Sequence, residues 1–535
     1  MFVGLVTSLM ISLGGGLSIK AAEKVEVQFE DMSIPISVKE LVDWVEGISI
    51  PNSLRELSEW ARNGGKDSEL ASWLNLLDLE SKAGLAKILK APLIKDQSMA
   101  RQILRSWVGR QLLDDVSDLI RVDEDTSGKK VFTTLENLLE SQPTVNTLDL
   151  LEALPGESIK LDLDAFLQVA NRWQIELQNQ ENLVSQLGDL PTTKTISPQL
   201  KALSDDFPEP SSRAQSLQVD HRLKPLRIEV WRPSEKIASK ASWIVFMPGL
   251  GGTPDHFRWL ARSLSKRGWP VVLLEHPGSD AKAMQELLEG KSPAPGAEVL
   301  PDRLSDLYSV IRAKEQGQVV LSEKKLVLMG HSLGALTSFL AAGGKPEPGL
   351  EKRCETALEA LSLTNLSQLL QCQIRNVLFP DELEINQLEA IVAMNSFGSL
   401  LWPSIGGTKI SLPVYLTGGT YDLITPAITE QLGLLMSTLP NRLSRTLLIE
   451  GASHFSPIRV EGQLPKSSGE DLFQLGEAFV GVQPLGVQDL LATQIIKFLE
   501  SIEAKKPLEL LLNKKKDGLS FYLIDRENVE NLLDN

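Results

Sequence analysis

From residue 223 onward, short apolar runs alternate with amphipathic stretches, and this alternation restricts the fold more than any other feature. LRIEVWRP and SWIVFMPG read as strands, PDHFRWLARSLSKRG as a helix, PVVLLEHPG as a strand, RLSDLYSVIRAKE as a helix and KLVLMG as a strand. After a helical insertion at 343–388 the rhythm resumes with LEAIVAMNS, PVYLTGG and RTLLIEG, then a last helix within VQDLLATQIIKFLESIEAKK. Strands separated by helices predict a mostly parallel sheet with helices on both faces. Reactive side chains in such sheets gather on loops at the carboxyl ends of the strands. The expectation is an α/β domain over 223–502.

The rest of the chain is organised differently. With 535 residues there is room for two or three domains, at roughly 150 residues each. Residues 23–185 read as mainly helical. SVKELVDWVEG and SLRELSEWARNG each open with a capping box, Ser37 with Glu40 and Ser53 with Glu56, in which the serine accepts from a first-turn amide and the glutamate reaches back. SELASWLNLLDL, MARQILRSWVGRQLLDDVSDLI and TTLENLLESQ continue the helical period. Trp44, Trp60, Trp73 and Trp107 fall on the apolar stripes, where packing explains them better than a ligand box does. Residues 186–222, rich in Pro, Ser, Thr and Asp, read as a linker or a surface strap. Residues 503–535 form a tail that is either mobile or docked back.

FVGLVTSLMISLGGGLSI, an uncharged apolar stretch, places a secretory signal or an N-terminal anchor at 1–22 and predicts export to the periplasm or beyond. A net charge of −16 argues against nucleic acid as a partner. Cys354 and Cys372 are too few and too isolated for a metal site. They either pair in an oxidising compartment or remain two buried thiols. No cofactor or metal is expected.

The chemistry starts at VLMGHSLGALT. Gly330-His331-Ser332-Leu333-Gly334 is G-x-S-x-G, small residues flanking a serine at a strand-to-helix turn. Chance matches to so short a pattern are common, so the serine needs supporting parts: a base, an acid to orient it, and donors for an oxyanion. Among the histidines, His221 precedes the sheet, His256 starts a helix, His276 follows a strand and His331 adjoins the serine. Only His454, in LLIEGASHFSP, follows both Ser332 and a strand-end aspartate. That aspartate is Asp422 in PVYLTGGTYDLITP, with Thr425-Pro426 read as the cap and first position of the next helix. Asp381 and Glu384 are fallback acids, and Glu450 lies on the strand leading to His454 itself. The Leu333 amide supplies one oxyanion donor, and the Leu250 amide in MPGLGGTPDHF the other. That glycine-rich loop lacks both phosphate-loop patterns.

With PGLGG, GHSLG, GGTYD and GASHF in this order, residues 223–502 resemble an α/β-hydrolase. FMPGLGG with EHPGSD is similar to bacterial relatives of platelet-activating-factor acetylhydrolase and dienelactone hydrolase. The resemblance implies Ser332 as nucleophile, Asp422 as acid, His454 as base and the amides of Leu250 and Leu333 as oxyanion hole. Pro248 departs from the common His-Gly start of that loop. Residues 23–185 resemble a domain of unknown function that precedes bacterial hydrolases. The expected activity is hydrolysis of a carboxylic ester, small or lipidic, with 343–388 placed as a lid and peripheral membrane contact open. A prolyl-peptidase-like amidase lacks the repeats of a propeller here. A binding protein on a retired hydrolase fold would lack a triad member, and none is lost.

Overall fold

The computed structural model describes residues 24–29, 32–47, 92–94, 120–125, 128–142, 145–156, 158–162, 179–180, 182–190, 207–288, 291–292, 295–358, 365, 367–380, 384–422, 424–458, 484–516 and 518–534. The chain divides into two compact units, Met1–Asn171 and Arg172–Asn535. The expected signal or anchor at 1–22 lies outside the described residues, as do Trp60, Trp73, Trp107 and the second capping box.

The first unit is not helices alone. β1 (Lys24–Phe29) pairs antiparallel with β2 (Met32–Ser37) and parallel with β6 (Ser158–Asp162), which in turn pairs antiparallel with β4 (Ile120–Val122). β3 (Pro92–Ile94) and β5 (Val145–Asn146) form a separate two-stranded ladder. KVEVQF alternates polar and apolar residues at a period of two, but six residues of alternation are easily overlooked beside helical stretches. The helix Val38–Gly47 starts where expected, the Glu40 amide donating to Ser37 Oγ at 3.4 Å.

The second unit carries a ten-stranded sheet. Its strands are β7 (Ser211–Leu217), β8 (Leu226–Arg232), β9 (Ser242–Met247), β10 (Val271–Leu274) and β11 (Lys325–His331). They continue with β12 (Leu388–Met394), β13 (Val414–Gly419), β14 (Arg445–Ile449), β15 (Leu511–Lys516) and β16 (Leu519–Ile524). The order is β7-β8-β10-β9-β11-β12-β13-β14-β16-β15. All neighbours from β10 through β14 are parallel. Their apolar runs split cleanly by pleat. Val245, Met247, Leu328, Ile391 and Leu416 face one core, with the helices Leu300–Glu315 and Leu333–Ala341. Ile244, Phe246, Val327, Val392 and Tyr415 face the other, with Arg258–Lys266 and Pro484–Ala504. A sheet covered on both sides needs this unbroken apolarity.

Both ends of this unit extend beyond 223–502. In the supposed linker, β7 runs as the edge strand beside β8 and Leu187 joins the core, as does Leu183 at the end of the stretch 23–185. Its serines and glutamine hid it, because an edge strand exposed to water needs little apolar patterning. At the other end the segment after 503 docks back: β16 pairs antiparallel with β14 from Thr446↔Ile524 to Ile449↔Phe521. Arg526 then donates to the carbonyls of Leu435, Met436 and Thr438 at 2.8–3.0 Å, satisfying the end of the helix Gly433–Ser437.

The insertion contains helices Leu350–Leu358 and Ser367–Gln373, joined by a disulfide between buried Cys354 and Cys372 with Cα atoms 5.5 Å apart. Closing a loop of this size restricts the unfolded chain by about 3 kcal/mol. Cys354→Ser and Cys372→Ser should therefore lower unfolding free energy by about that amount in urea titration, equally for both. Reductant should destabilise the wild type and leave the variants unchanged; a wild type insensitive to reductant would contradict this.

Candidate active site

Parallel strands deliver their carboxyl ends to one edge of the sheet, and four of the loops there carry the candidate residues. Ser332 sits between β11 and the helix Leu333–Ala341 at φ 53 and ψ −120. A non-glycine residue with positive φ is strained and persists only where its surroundings hold it. Here the Ser332 amide donates to Met394 O at 2.8 Å, and its carbonyl accepts from the Leu336 amide at 3.0 Å. The flanking glycines follow from the same tight turn. A Cβ on Gly330 would strike the backbone of Gly334, and one on Gly334 would strike Met247 O of β9.

Asp422 follows β13 and His454 follows β14. A Cβ on Gly419 would collide with Ala452 O, so these two loops close on each other through glycine. His454 Nδ1 lies 3.0 Å from Asp422 Oδ2. Asp422 is buried and accepts on both oxygens. Oδ1 takes the amides of Ile424 and Thr425 at 2.9 and 2.8 Å. Oδ2 takes Asn395 Nδ2 at 2.8 Å and Thr425 Oγ1 at 2.6 Å as well as His454. Because the Thr425 hydroxyl spends its proton on Asp422, it can only accept from His454 Nδ1, 3.2 Å away. The imidazole therefore carries its proton on Nδ1, leaving Nε2 as a lone pair. Burial pushes the Asp422 carboxyl up, but the electrostatic interaction and hydrogen bond with His454 and the bonds from Thr425 outweigh it and hold the group below the usual carboxylate range.

Exposure is slight at Ser332 and His454 and falls further at Asp422, so the acid lies deepest. Ser332 Oγ makes no hydrogen bond among the described residues.

His331 ties these parts together. Its Nε2 lies 3.0 Å from His454 O, to which it donates, and the two rings are 4.9 Å apart. On its other side Nδ1 lies 3.1 Å from where a Gly249 Cβ would stand. Burial, and then the neighbouring His454, lower its pKa to about 3, so it stays neutral.

The loop after β9 places Gly249 against the serine, its would-be Cβ 3.0 Å from Ser332 Cβ. Neither the Leu250 nor the Leu333 amide donates a hydrogen bond among the described residues; Leu333 opens its helix, where the amide has no intrahelical acceptor. The loop is pinned on both sides of Leu250. Buried Arg303 donates to Pro248 O and, at 2.8 Å, to Ser279 Oγ, while the Gly251 amide donates to Ser279 O at 2.8 Å. Burial lowers the Arg303 pKa to about 9, which still leaves a cation at neutral pH. One turn on, Asp306 accepts from Arg222 Nε and Nη2 at 2.6 Å and pairs with His221 at 2.8 Å and His276 at 2.9 Å. Two of the histidines thus serve this network rather than the serine.

Sequence reasoning missed Asn395, Arg303 and Asp306, which sit inside apolar or helical runs that look like packing. Thr425 was visible but misassigned. The following helical turn, Ala427–Leu432, is a π-helix with Pro426 at its cap, and the threonine hydroxyl serves Asp422 instead. Of the fallback acids, Asp381 lies outside the described residues and Glu384 is exposed on the insertion. Among the described residues no group of three or more His, Cys, Asp or Glu could hold a metal ion.

Strand order, elbow and strand-end loops together define an α/β-hydrolase fold. Residues 45–162 match a family described as "Alpha/beta hydrolase of unknown function (DUF1400)"; the matched stretch falls within the first unit, ahead of the ten-stranded sheet. No curated protein matches the chain.

Proposed function

We propose that this protein is a serine hydrolase that cleaves carboxylic esters through an acyl-enzyme. The observations that carry the proposal are the His454 Nδ1–Asp422 Oδ2 bond at 3.0 Å, which leaves Nε2 as an acceptor, and the strained elbow that holds Ser332. In the proposed mechanism His454 Nε2 takes the Ser332 proton as Oγ attacks the ester carbonyl. The Leu250 and Leu333 amides receive the charge on the carbonyl oxygen, one such donor being worth about 3–4 kcal/mol of barrier. The imidazolium, stabilised by Asp422, protonates the leaving alcohol. The same base then draws a proton from water, which attacks the acyl carbonyl and frees the acid and Ser332.

The likeness of FMPGLGG and EHPGSD to acetylhydrolase and dienelactone-hydrolase relatives favours esters over amides. Tyr421, two-thirds exposed beside Asp422, and Leu378, exposed on the insertion, support an acyl or lipidic substrate. The Cys354–Cys372 bond supports export to an oxidising compartment. Among the described residues no helix is long and apolar enough to cross a membrane.

A fluorophosphonate probe and p-nitrophenyl esters of graded chain length test the reading, with aminoacyl anilides in parallel. Stoichiometric labelling of Ser332 and ester turnover well above anilide turnover are expected. Folded wild-type protein that neither labels nor hydrolyses any ester would refute it.

A further inference from the structure

Glu430 is a fully buried carboxylate, on the π-helical turn Ala427–Leu432, and no cation pairs with it among the described residues. Such a group is retained only if hydrogen bonds replace its hydration. Five do so, and they divide by oxygen. Oε1 accepts from two residues of the insertion, Asn365 Nδ2 at 2.8 Å and Gln371 Nε2 at 3.1 Å, and from Ser399 Oγ at 2.7 Å, while the Ser367 hydroxyl donates to Asn365 Oδ1 at 2.6 Å. Oε2 accepts from the amides of Gly398 and Ser399 at 2.7 and 3.0 Å, in the loop after β12. One carboxylate therefore bridges the insertion to that loop.

The loop in turn reaches the candidate acid. Asn395, at its start, donates to Asp422 Oδ2, and Gln431, next to Glu430, donates to Ser396 O at 2.7 Å. A second link is more direct: the Ser367 amide donates to Ile424 O at 3.0 Å, and the Ile424 amide donates to Asp422 Oδ1. From insertion to acid the path is two hydrogen bonds long. π-turns recur at functional sites, and this one presents Glu430 to the insertion while the chain just before it, at Thr425, serves Asp422.

We propose that Glu430 is a positioning residue that couples the insertion to Asp422, so that the seating of Asn365 and of the helix Ser367–Gln373 sets the orientation of the Asp422–His454 pair. The inference rests on the hydrolase reading above. A substrate or surface that shifts the insertion would then change turnover itself, and not binding alone.

A double-mutant cycle on the full chain tests this, since residues acting through one another are non-additive. Glu430→Gln keeps the shape but turns an N–H against the donors on one side. It should lower both kcat for a short p-nitrophenyl ester and the rate of fluorophosphonate labelling by about 100-fold, the scale of an ångström-sized misplacement, with KM changed by less than about threefold. With Asp422→Asn already present, Glu430→Gln should cost less than about threefold more in the rate of fluorophosphonate labelling, because the group it acts through is gone. Gln371→Leu, which removes one donor on the insertion side, should follow the same pattern and decides the matter if Glu430→Gln does not fold. Equal factors in both backgrounds, or a loss confined to KM, would overturn the coupling. Were the wild type itself inert to esters and probe, the hydrolase reading would fall instead.

Discussion

Ser332→Ala is expected to lower kcat for ester hydrolysis by about a millionfold, because the covalent route disappears while the rest of the site remains. Losing only the hydroxyl leaves the elbow's contacts unchanged: the amide still donates to Met394 O, the carbonyl still accepts from Leu336, and Gly330 and Gly334 still allow the close approach to β9. Alanine meets the same strain at φ 53 as serine does. Thermal unfolding should therefore stay within a few degrees of wild type while probe labelling vanishes. Substantial residual turnover in well-folded Ser332→Ala would remove the serine from the mechanism.

Asp422→Asn should cost about 10⁴-fold in kcat, and the hydrogen bonds dictate why. The amides of Ile424 and Thr425 demand an oxygen at the Oδ1 position, so the new NH₂ must take the Oδ2 position. There it meets His454 Nδ1, Thr425 Oγ1 and Asn395 Nδ2, all donors to the wild-type aspartate. His454 can only answer by accepting at Nδ1, which moves its proton to Nε2. That nitrogen can then no longer take the proton of Ser332. Steady-state kinetics with active-site counting would measure the loss. A variant retaining more than about a tenth of wild-type kcat would assign the orienting role elsewhere.

Part of this site was legible in the one-dimensional pattern. The alternation after residue 223 implied a parallel sheet, and G-x-S-x-G, GGTYD and GASHF marked three of its strand ends in the order Ser, Asp, His. Local chemistry carries these signals: a glycine is needed wherever a Cβ would strike a neighbouring backbone, as at Gly330, Gly334 and Gly419. The supporting residues carried no such mark. Asn395 sits in an apolar strand end, Arg303 in an amphipathic helix, and Glu430 in a run that reads as an ordinary helix start. What distinguishes each is a buried polar atom whose partners lie tens of residues away. Edge elements escaped for the opposite reason, since polar β7 did not resemble a strand and the segment holding β16 resembled a tail.

Strand periodicity, turn glycines and the order of reactive side chains belong to the sequence alone, because each is set by contacts within a few residues of the backbone. Tertiary structure alone decided which tautomer His454 adopts, what holds the loop of Leu250, and how the insertion meets Asp422. Those outcomes depend on burial, which makes an unmatched donor or acceptor costly and therefore selects one arrangement of distant partners.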